Sequence, residues 1–224
     1  WDKNMKEYTA YLLVDGIVQG VGFRPTVYRL AKLMNLTGHV RNMGNIVEII
    51  IQGTYDDIKL FVDELQEYKP VRSEINNIDV EIKGEVTPET KYDDFTIKES
   101  SDKISGSAVI PPDISICDEC LNEILDINNR HYYYPFTACT NCGPRFTVID
   151  KVPYDRKNTT MDDFPLCTHC EEEYTNPLDR RYHAEATCCP ECGPQVFLYK
   201  DGVIQSKDPI RDASRLIDEG KILA

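Results

Sequence analysis

Tyr8-Thr9-Ala10-Tyr11-Leu12-Leu13-Val14-Asp15-Gly16-Ile17-Val18-Gln19-Gly20-Val21-Gly22-Phe23-Arg24-Pro25 decides the fold of the first half of the chain. Its first seven residues are β-branched, aromatic or aliphatic, the composition of a strand. Asp15 to Phe23 carries three glycines and reads as a loop. Pro25 suits a first helical turn, because it lacks an N–H that a helix start leaves unused anyway. Val27, Leu30, Ala31 and Met34 then share one helical face. Outward from this unit, Gly38 to Asn42 reads as a short strand, Asn42 to Asn45 as a turn and Ile46 to Ile51 as a second strand. Thr54 is a side-chain cap for a helix with the stripe Ile58, Phe61, Val62 and Leu65. Ile78 to Ile82 alternates as a strand and Phe95 to Ile97 is a shorter one. The order βαββαβ predicts an α+β ferredoxin-like sandwich over residues 8–99, with two helices on one face of an antiparallel sheet.

A polar Gly/Ser-rich stretch, Ser100 to Ser107, reads as a linker within 100–116 that separates two independent cores. Beyond it, eight of the nine cysteines form four C-x-x-C pairs. Cys117, Cys120, Cys139 and Cys142 recur 50 residues later as Cys167, Cys170, Cys189 and Cys192, and each half closes on Cys-Gly-Pro. Glu123 and Glu173, Arg130 and Arg180, and Tyr132 and Tyr182 follow the same offset. Each C-x-x-C loop aims two sulfurs at one point, so four pairs predict two structural Zn²⁺ sites over 117–194. Disulfides are a poorer reading, since disulfide frameworks rarely place every cysteine in such pairs. The repeat predicts that the first four cysteines share one ion and the last four the other, with Cys188 left free. His131, His169 and His183 lie near these cysteines, but eight thiolates already complete two sites.

The formal charge is −13 over 224 residues. Residues 117–192 hold seven basic and fourteen acidic residues, a net of −7, and each tetrathiolate zinc adds −2. Such a module repels phosphate backbones, which argues against nucleic acid. The start Trp1 to Lys6 has no apolar signal region and no run approaches a membrane span, so a cytoplasmic protein without membrane contact is expected. After Pro194, Val196 to Tyr199 reads as a strand, Asp201-Gly202 as a turn, and Asp208 to Glu219 as an amphipathic helix ended by Gly220. Ile222 to Ala224 reads as the opening of a further strand. Residues 195–224 cannot bury a core alone and are expected to begin a truncated third domain.

Val14 to Pro25, with Gly38-His39-Val40-Arg41-Asn42, closely resembles the acylphosphatase signature. That resemblance implies hydrolysis of acyl phosphates. Gln19, Gly20, Val21, Gly22, Phe23 and Arg24 would bind the phosphoryl group, and Asn42 would hold the attacking water. Ile46 departs from the glycine common there. Pro111-Pro112-Asp113, Cys117-Asp118-Glu119-Cys120, Tyr134-Pro135-Phe136-Thr137, Pro153-Tyr154-Asp155-Arg156 and Asp179-Arg180-Arg181-Tyr182-His183 extend the likeness. Together they resemble the N-terminal part of the HypF-type carbamoyltransferase family of [NiFe]-hydrogenase maturation, which continues into a YrdC-like domain. The resemblance implies carbamoyl phosphate as substrate, ATP-dependent activation of carbamate in domains missing here, and transfer to a HypE-type cysteine for the cyanide ligand. No Walker-type loop and no complete nucleotide site is present. Two other readings remain: a zinc-finger module that binds protein, and a non-catalytic scaffold. The acyl phosphate reading carries the expectation that cleavage is independent of zinc.

Overall fold

The computed structural model describes residues 6–101, 113–199 and 202–223. Most of the linker expected at 100–116, together with Pro111, Pro112 and Asp201, falls outside them. β1 (Glu7–Ile17), β2 (Thr37–Met43), β3 (Ile46–Thr54), β4 (Glu74–Glu85) and β5 (Phe95–Ile97) form one sheet in the order β4-β1-β3-β2-β5. Four strands follow the expected ferredoxin-like order. The sheet is mixed rather than antiparallel, because β5 lies parallel to β2, with Gly38 opposite Phe95. Phe95 is fully buried in the core, and that short apolar run can close the β2 edge in either direction.

Helices α1 (Phe23–Leu33) and α2 (Tyr55–Tyr68) cover one face. Ala10, Leu12 and Val14 of β1 alternate inward and meet Val27, Leu30 and Ala31 of α1 and Ile58, Phe61 and Leu65 of α2. Each buried aliphatic or aromatic side chain there contributes about 1.5–3 kcal/mol. Thr54 caps α2 by accepting from the Asp57 N–H, and Asp57 accepts in return from the Thr54 N–H. This reciprocal pair satisfies two donors that a helix start leaves open. Between β2 and β3 the chain reverses at Gly44 (φ 65°), and Ile46 is already the first residue of β3. The turn glycine therefore stands two residues earlier than Ile46, and the departure at Ile46 leaves the reversal intact.

The cysteine-rich region is built as a repeat in three dimensions. Cys117 precedes α3 (Asp118–Leu125) and Cys167 precedes α4 (Thr168–Thr175) as N-cap residues. Cys120 and Cys170 sit buried inside those helices. Tyr133 and His183, 50 residues apart, both adopt left-handed backbone (φ 55° and 51°). At the C-terminal end, β6 (Leu198–Tyr199) pairs with β7 (Val203–Ile204), a strand absent from the expected pattern. α5 (Pro209–Asp218) follows, capped by Asp208 accepting from the Arg211 N–H and ended by Gly220 (φ 81°). Lys221 to Leu223 form no strand.

The two cores touch, unlike the separated pair expected from the linker. Tyr28 of α1 meets Tyr182 edge-on at 5.7 Å between ring centres. Gln19 Oε1 accepts from the Tyr154 N–H at 3.4 Å. The loop between β1 and α1 is the surface on which they meet.

Candidate active site and metal centres

That loop turns on Gly20 (φ 69°) and on Gly22 (φ 78°), the N-cap of α1. A side chain at Gly20 would lie 2.9 Å from Pro144 and Tyr154, and one at Gly22 would lie 3.0 Å from Thr140. Val21 and Phe23 point into the core. The N–H groups of Gly20, Val21 and Gly22 find no acceptor among the described residues. At a helix N-terminus such amides form a cradle for an anion. Gln19 is tied across the loop, its Nε2 donating to the Gly44 carbonyl at 2.8 Å.

Arg24 follows on α1 and is buried. Its Nη1 lies 3.0 Å from Asp155 Oδ1 and its Nη2 lies 2.8 Å from Glu185 Oε1. Burial works against its charge, but Glu185 and Asp155 outweigh that and raise the guanidinium pKa further. Glu185 Oε2 accepts from the Tyr174 hydroxyl at 2.7 Å and from the Arg156 N–H at 2.9 Å. Burial pushes the Glu185 carboxyl up, against the pull of Arg24. Burial and the neighbouring Glu185 likewise raise the Tyr174 hydroxyl, which stays a donor. Asp155 Oδ2, although buried, has no partner.

Asn42, at the end of β2, has no exposed surface, and neither its amide nitrogen nor its amide oxygen is hydrogen-bonded. Its backbone carbonyl accepts from the Ser101 N–H at 2.9 Å, which draws residues 100–101 alongside. Ser100 Oγ is also without a partner. Buried polar groups left unpaired are costly, and two of these, Ser100 Oγ and Asp155 Oδ2, belong to residues that line one cavity. That cavity, of about 330 Å³, is lined by Arg24, Lys98, Ser100, Asp155, Lys157 and Glu185 among others; of the residues expected from sequence to form the site, Arg24 lines it, whereas Asn42 and Gln19 to Phe23 do not. Sequence reasoning named Arg24 and Asn42 as site residues; Tyr174, Asp155 and Glu185, which line the cavity beside Arg24, were not named as such. Asp155 stood in a quoted motif; Glu185 carried no signal short of the packing between the two cores.

The cysteines form two groups, Cys117, Cys120, Cys139, Cys142 and Cys167, Cys170, Cys189, Cys192, with all sulfurs in each within 4.8 Å of one another. Within them Cys117 and Cys139 are 3.5 Å apart, Cys139 and Cys142 3.9 Å, Cys167 and Cys189 3.7 Å, and Cys189 and Cys192 3.8 Å. A tetrahedron of sulfurs about 2.3 Å from a zinc ion has edges of about 3.8 Å, so both groups fit Zn²⁺. Two structural zinc ions are held by these eight cysteines, four consecutive ones each. Four thiolates leave no position for water, so neither ion takes part in chemistry. Arg180 donates to Cys120 Sγ at 2.9 Å, and Arg130 donates to Cys170 Sγ at 3.2 Å. Each half thus sends an arginine to the thiolates of the other. Glu123 and Glu173 receive the same arginines, Arg180 and Arg130 respectively. Cys188 lies outside both groups, packed with Tyr134 and Met161. His131 is buried and held neutral, its pKa pushed down to about 4 by burial and by Arg181 and Arg130. His169 is exposed.

A ferredoxin-like sandwich with an anion cradle ending in arginine, joined to paired tetrathiolate fingers, defines an acylphosphatase domain carried on a zinc module. Residues 10–97 match the Acylphosphatase family, and residues 116–149 and 166–199 match the HypF finger. An acylphosphatase of Thermotoga maritima is 42% identical over 86 residues, 38% of this chain and 90% of its own length. A probable carbamoyltransferase HypF of Methanocaldococcus jannaschii is 56% identical over 214 residues, covering 94% of this chain and 28% of that protein. A crystal structure of full-length HypF in its phosphate- and nucleotide-bound form superposes with a TM-score of 0.87 at 39% identity, over 99% of this chain and 29% of that one. The chain belongs to the HypF family of carbamoyltransferases and contains an enzyme domain of the acylphosphatase type. It spans somewhat over a quarter of the length of these HypF relatives. Among the described residues, no helix is long and apolar enough to cross a membrane.

Proposed function

We propose that this chain hydrolyses carbamoyl phosphate to carbamate and phosphate in the cradle of Gln19 to Arg24. The observation that carries this reading is the buried, unpaired Asn42 amide, on the strand end whose turn Gln19 of the loop reaches by donating to the Gly44 carbonyl. The loop amides and Arg24 bind the phosphoryl oxygens, and Asn42 orients a water against phosphorus. Attack forms the new P–O bond while the bond to the bridging oxygen breaks. Carbamate leaves, and the protons of water remain on the dihydrogen phosphate. Little covalent chemistry is asked of the protein; charge stabilisation and a held water suffice.

In the longer protein, carbamate would next be activated with ATP and the carbamoyl group passed to a cysteine of a HypE-type partner. This chain holds no complete nucleotide site in that reading, and residues 195–224 begin a YrdC-like domain. The division into 8–99, a linker at 100–116, 117–194 and 195–224 belongs to the same proposal, as do a cytoplasmic location and the absence of a nucleic-acid partner. The charge of −13 supports the last point.

Phosphate release from carbamoyl phosphate by the intact chain tests the reading. Arg24→Ala should lower the rate by about 10²–10³, the loss of one preorganised donor to developing charge. Asn42→Ala should reduce turnover more than substrate affinity. Hydrolysis unchanged by Arg24→Ala would refute the assignment. The same assay on chelated chain tests the independence from zinc expected from sequence: loss of hydrolysis with the metal would show that the finger module's contact with the loop is needed for cleavage.

A further inference from the structure

We propose that Asp155, carried by the finger module, is a specificity-determining residue of the acylphosphatase site: its free carboxylate oxygen accepts an N–H of the substrate's carbamoyl group. The inference rests on the phosphoryl-binding role of Arg24 and concerns the other end of the same substrate. Asp155 Oδ1 meets Arg24 Nη1 at 3.0 Å, so Oδ2 stands one carboxylate's width from the arginine. Oδ2 is buried and has no hydrogen-bond partner, and Asp155 lines the cavity that Arg24 also lines. An acceptor held that way wants a donor from a ligand. Glu185 is not available for this, because Arg24, Tyr174 and the Arg156 N–H occupy its two oxygens.

Carbamoyl phosphate offers such a donor and acetyl phosphate does not: an amino group in the one replaces a methyl group in the other. Arg24 has five N–H donors, of which Asp155 and Glu185 take two, so three remain for phosphoryl oxygens. The two carboxylates leave the arginine's surroundings net negative. Lys98, Arg156 and Lys157 line the same cavity together with Glu99 and Asp162, so that basic and acidic side chains balance around it. A site with an acceptor awaiting an N–H rejects the analogue that lacks it, because binding then leaves a buried carboxylate oxygen unpaired. Nothing in the ferredoxin-like sandwich alone supplies this oxygen, so discrimination is a contribution of the finger module.

The test compares kcat/KM for carbamoyl phosphate and acetyl phosphate in the intact, zinc-loaded chain. The wild type should favour carbamoyl phosphate by about 10- to 100-fold, the value of one hydrogen bond to a charged group. Asp155→Asn keeps an oxygen for Arg24 but turns an NH₂ toward the substrate. It should lower the carbamoyl phosphate value by about 10- to 100-fold more than the acetyl phosphate value, so that the preference between the two substrates is lost, while two zinc ions per chain by elemental analysis report that the variant is folded. Should Asp155→Asn fail to fold, the substrate comparison on the wild type still decides. Equal efficiency on both substrates, or an equal fall for both in Asp155→Asn, overturns the inference while leaving the acyl phosphatase reading in place. Cleavage of neither substrate by the wild type removes that reading and the inference with it.

Discussion

The two regions of this molecule solve the same problem by different physics. The sandwich buries eighteen hydrophobic residues in one cluster and needs no ion. The finger module gathers only small clusters, one made of four cysteines and another of Tyr134, Met161 and Cys188. Its order comes from sulfur, metal and the reciprocal arginine contacts of the two repeats. The first region can lose one contact and keep the rest. The second concentrates its stability in two points, each of which fixes distant segments at once. Yet the cavity that Arg24 lines lies between them, so that a place the sandwich could form only in part is completed by the region with the weaker core.

The sharpest way to break this comparison is to remove zinc. Structural zinc sites bind with about 10–16 kcal/mol of apparent free energy near neutral pH, and that energy is folding energy. A strong chelator should abolish the protected amides of 117–194 in hydrogen exchange and leave those of β1 and β3 protected. Loss of protection in both regions together would show that the contact at Gly20, Tyr154 and Arg24 joins them into one cooperative unit.

Removing core packing should do the reverse. Phe61 is fully buried beneath α2, and Phe61→Ala should cost about 3–5 kcal/mol of sandwich stability. Zinc content, measured by elemental analysis, should stay at two ions per chain. A variant that sheds zinc would contradict the separation of the two mechanisms.

A smaller effect should follow from cutting the arginine that crosses between repeats. Arg180→Ala takes a donor from Cys120 and a partner from Glu123. Contacts of this kind around metal ligands are worth about 10- to 100-fold in metal affinity. Competition with a chromophoric chelator should show one ion, that of Cys117, Cys120, Cys139 and Cys142, released more readily. Arg130→Ala should do the same to the second ion. Unchanged affinity in both would make the crossed contacts incidental to the metal.

The smallest effect expected is a pH dependence confined to the sandwich. His39 is buried, and its pKa is pushed down to about 4 from 6.5 by burial and by Lys98. Between those values the unfolded chain takes up a proton that the folded chain refuses. Stability is therefore held in full above pH 6.5 and falls as pH drops toward about 4. His39→Gln should flatten the decline in thermal stability between pH 7 and 5 relative to the wild type. Parallel declines would assign it to other groups.

Much of this was legible along the chain. The strands, α1 and α2 follow from short-range periodicity and caps, since Val27, Leu30, Ile58, Phe61 and Leu65 report their own burial through spacing. Zinc ligation, and even the grouping of ligands, follows because a C-x-x-C pair has a fixed reach and the 50-residue repeat marks each half. The matched Glu123 and Glu173, and Arg130 and Arg180, were visible as a pattern. That each serves the opposite half was not, because a repeat does not state how its copies face each other. The parallel sense of β5 escaped for a like reason: three residues carry a hydrophobic signal but no direction. Arg24 and Asn42 were named from their motif, whereas Asp155, Tyr174 and Glu185 came to line the cavity beside Arg24 only through packing. They lie more than 130 residues from Arg24 in sequence, and a contact of that range leaves no local spacing to read. Sequence alone determined which side chains could hold metal and anion, because those depend on residue type and short separations. The tertiary structure decided what shares the cavity with Arg24, because that depends on where two separately encoded cores come to rest against each other.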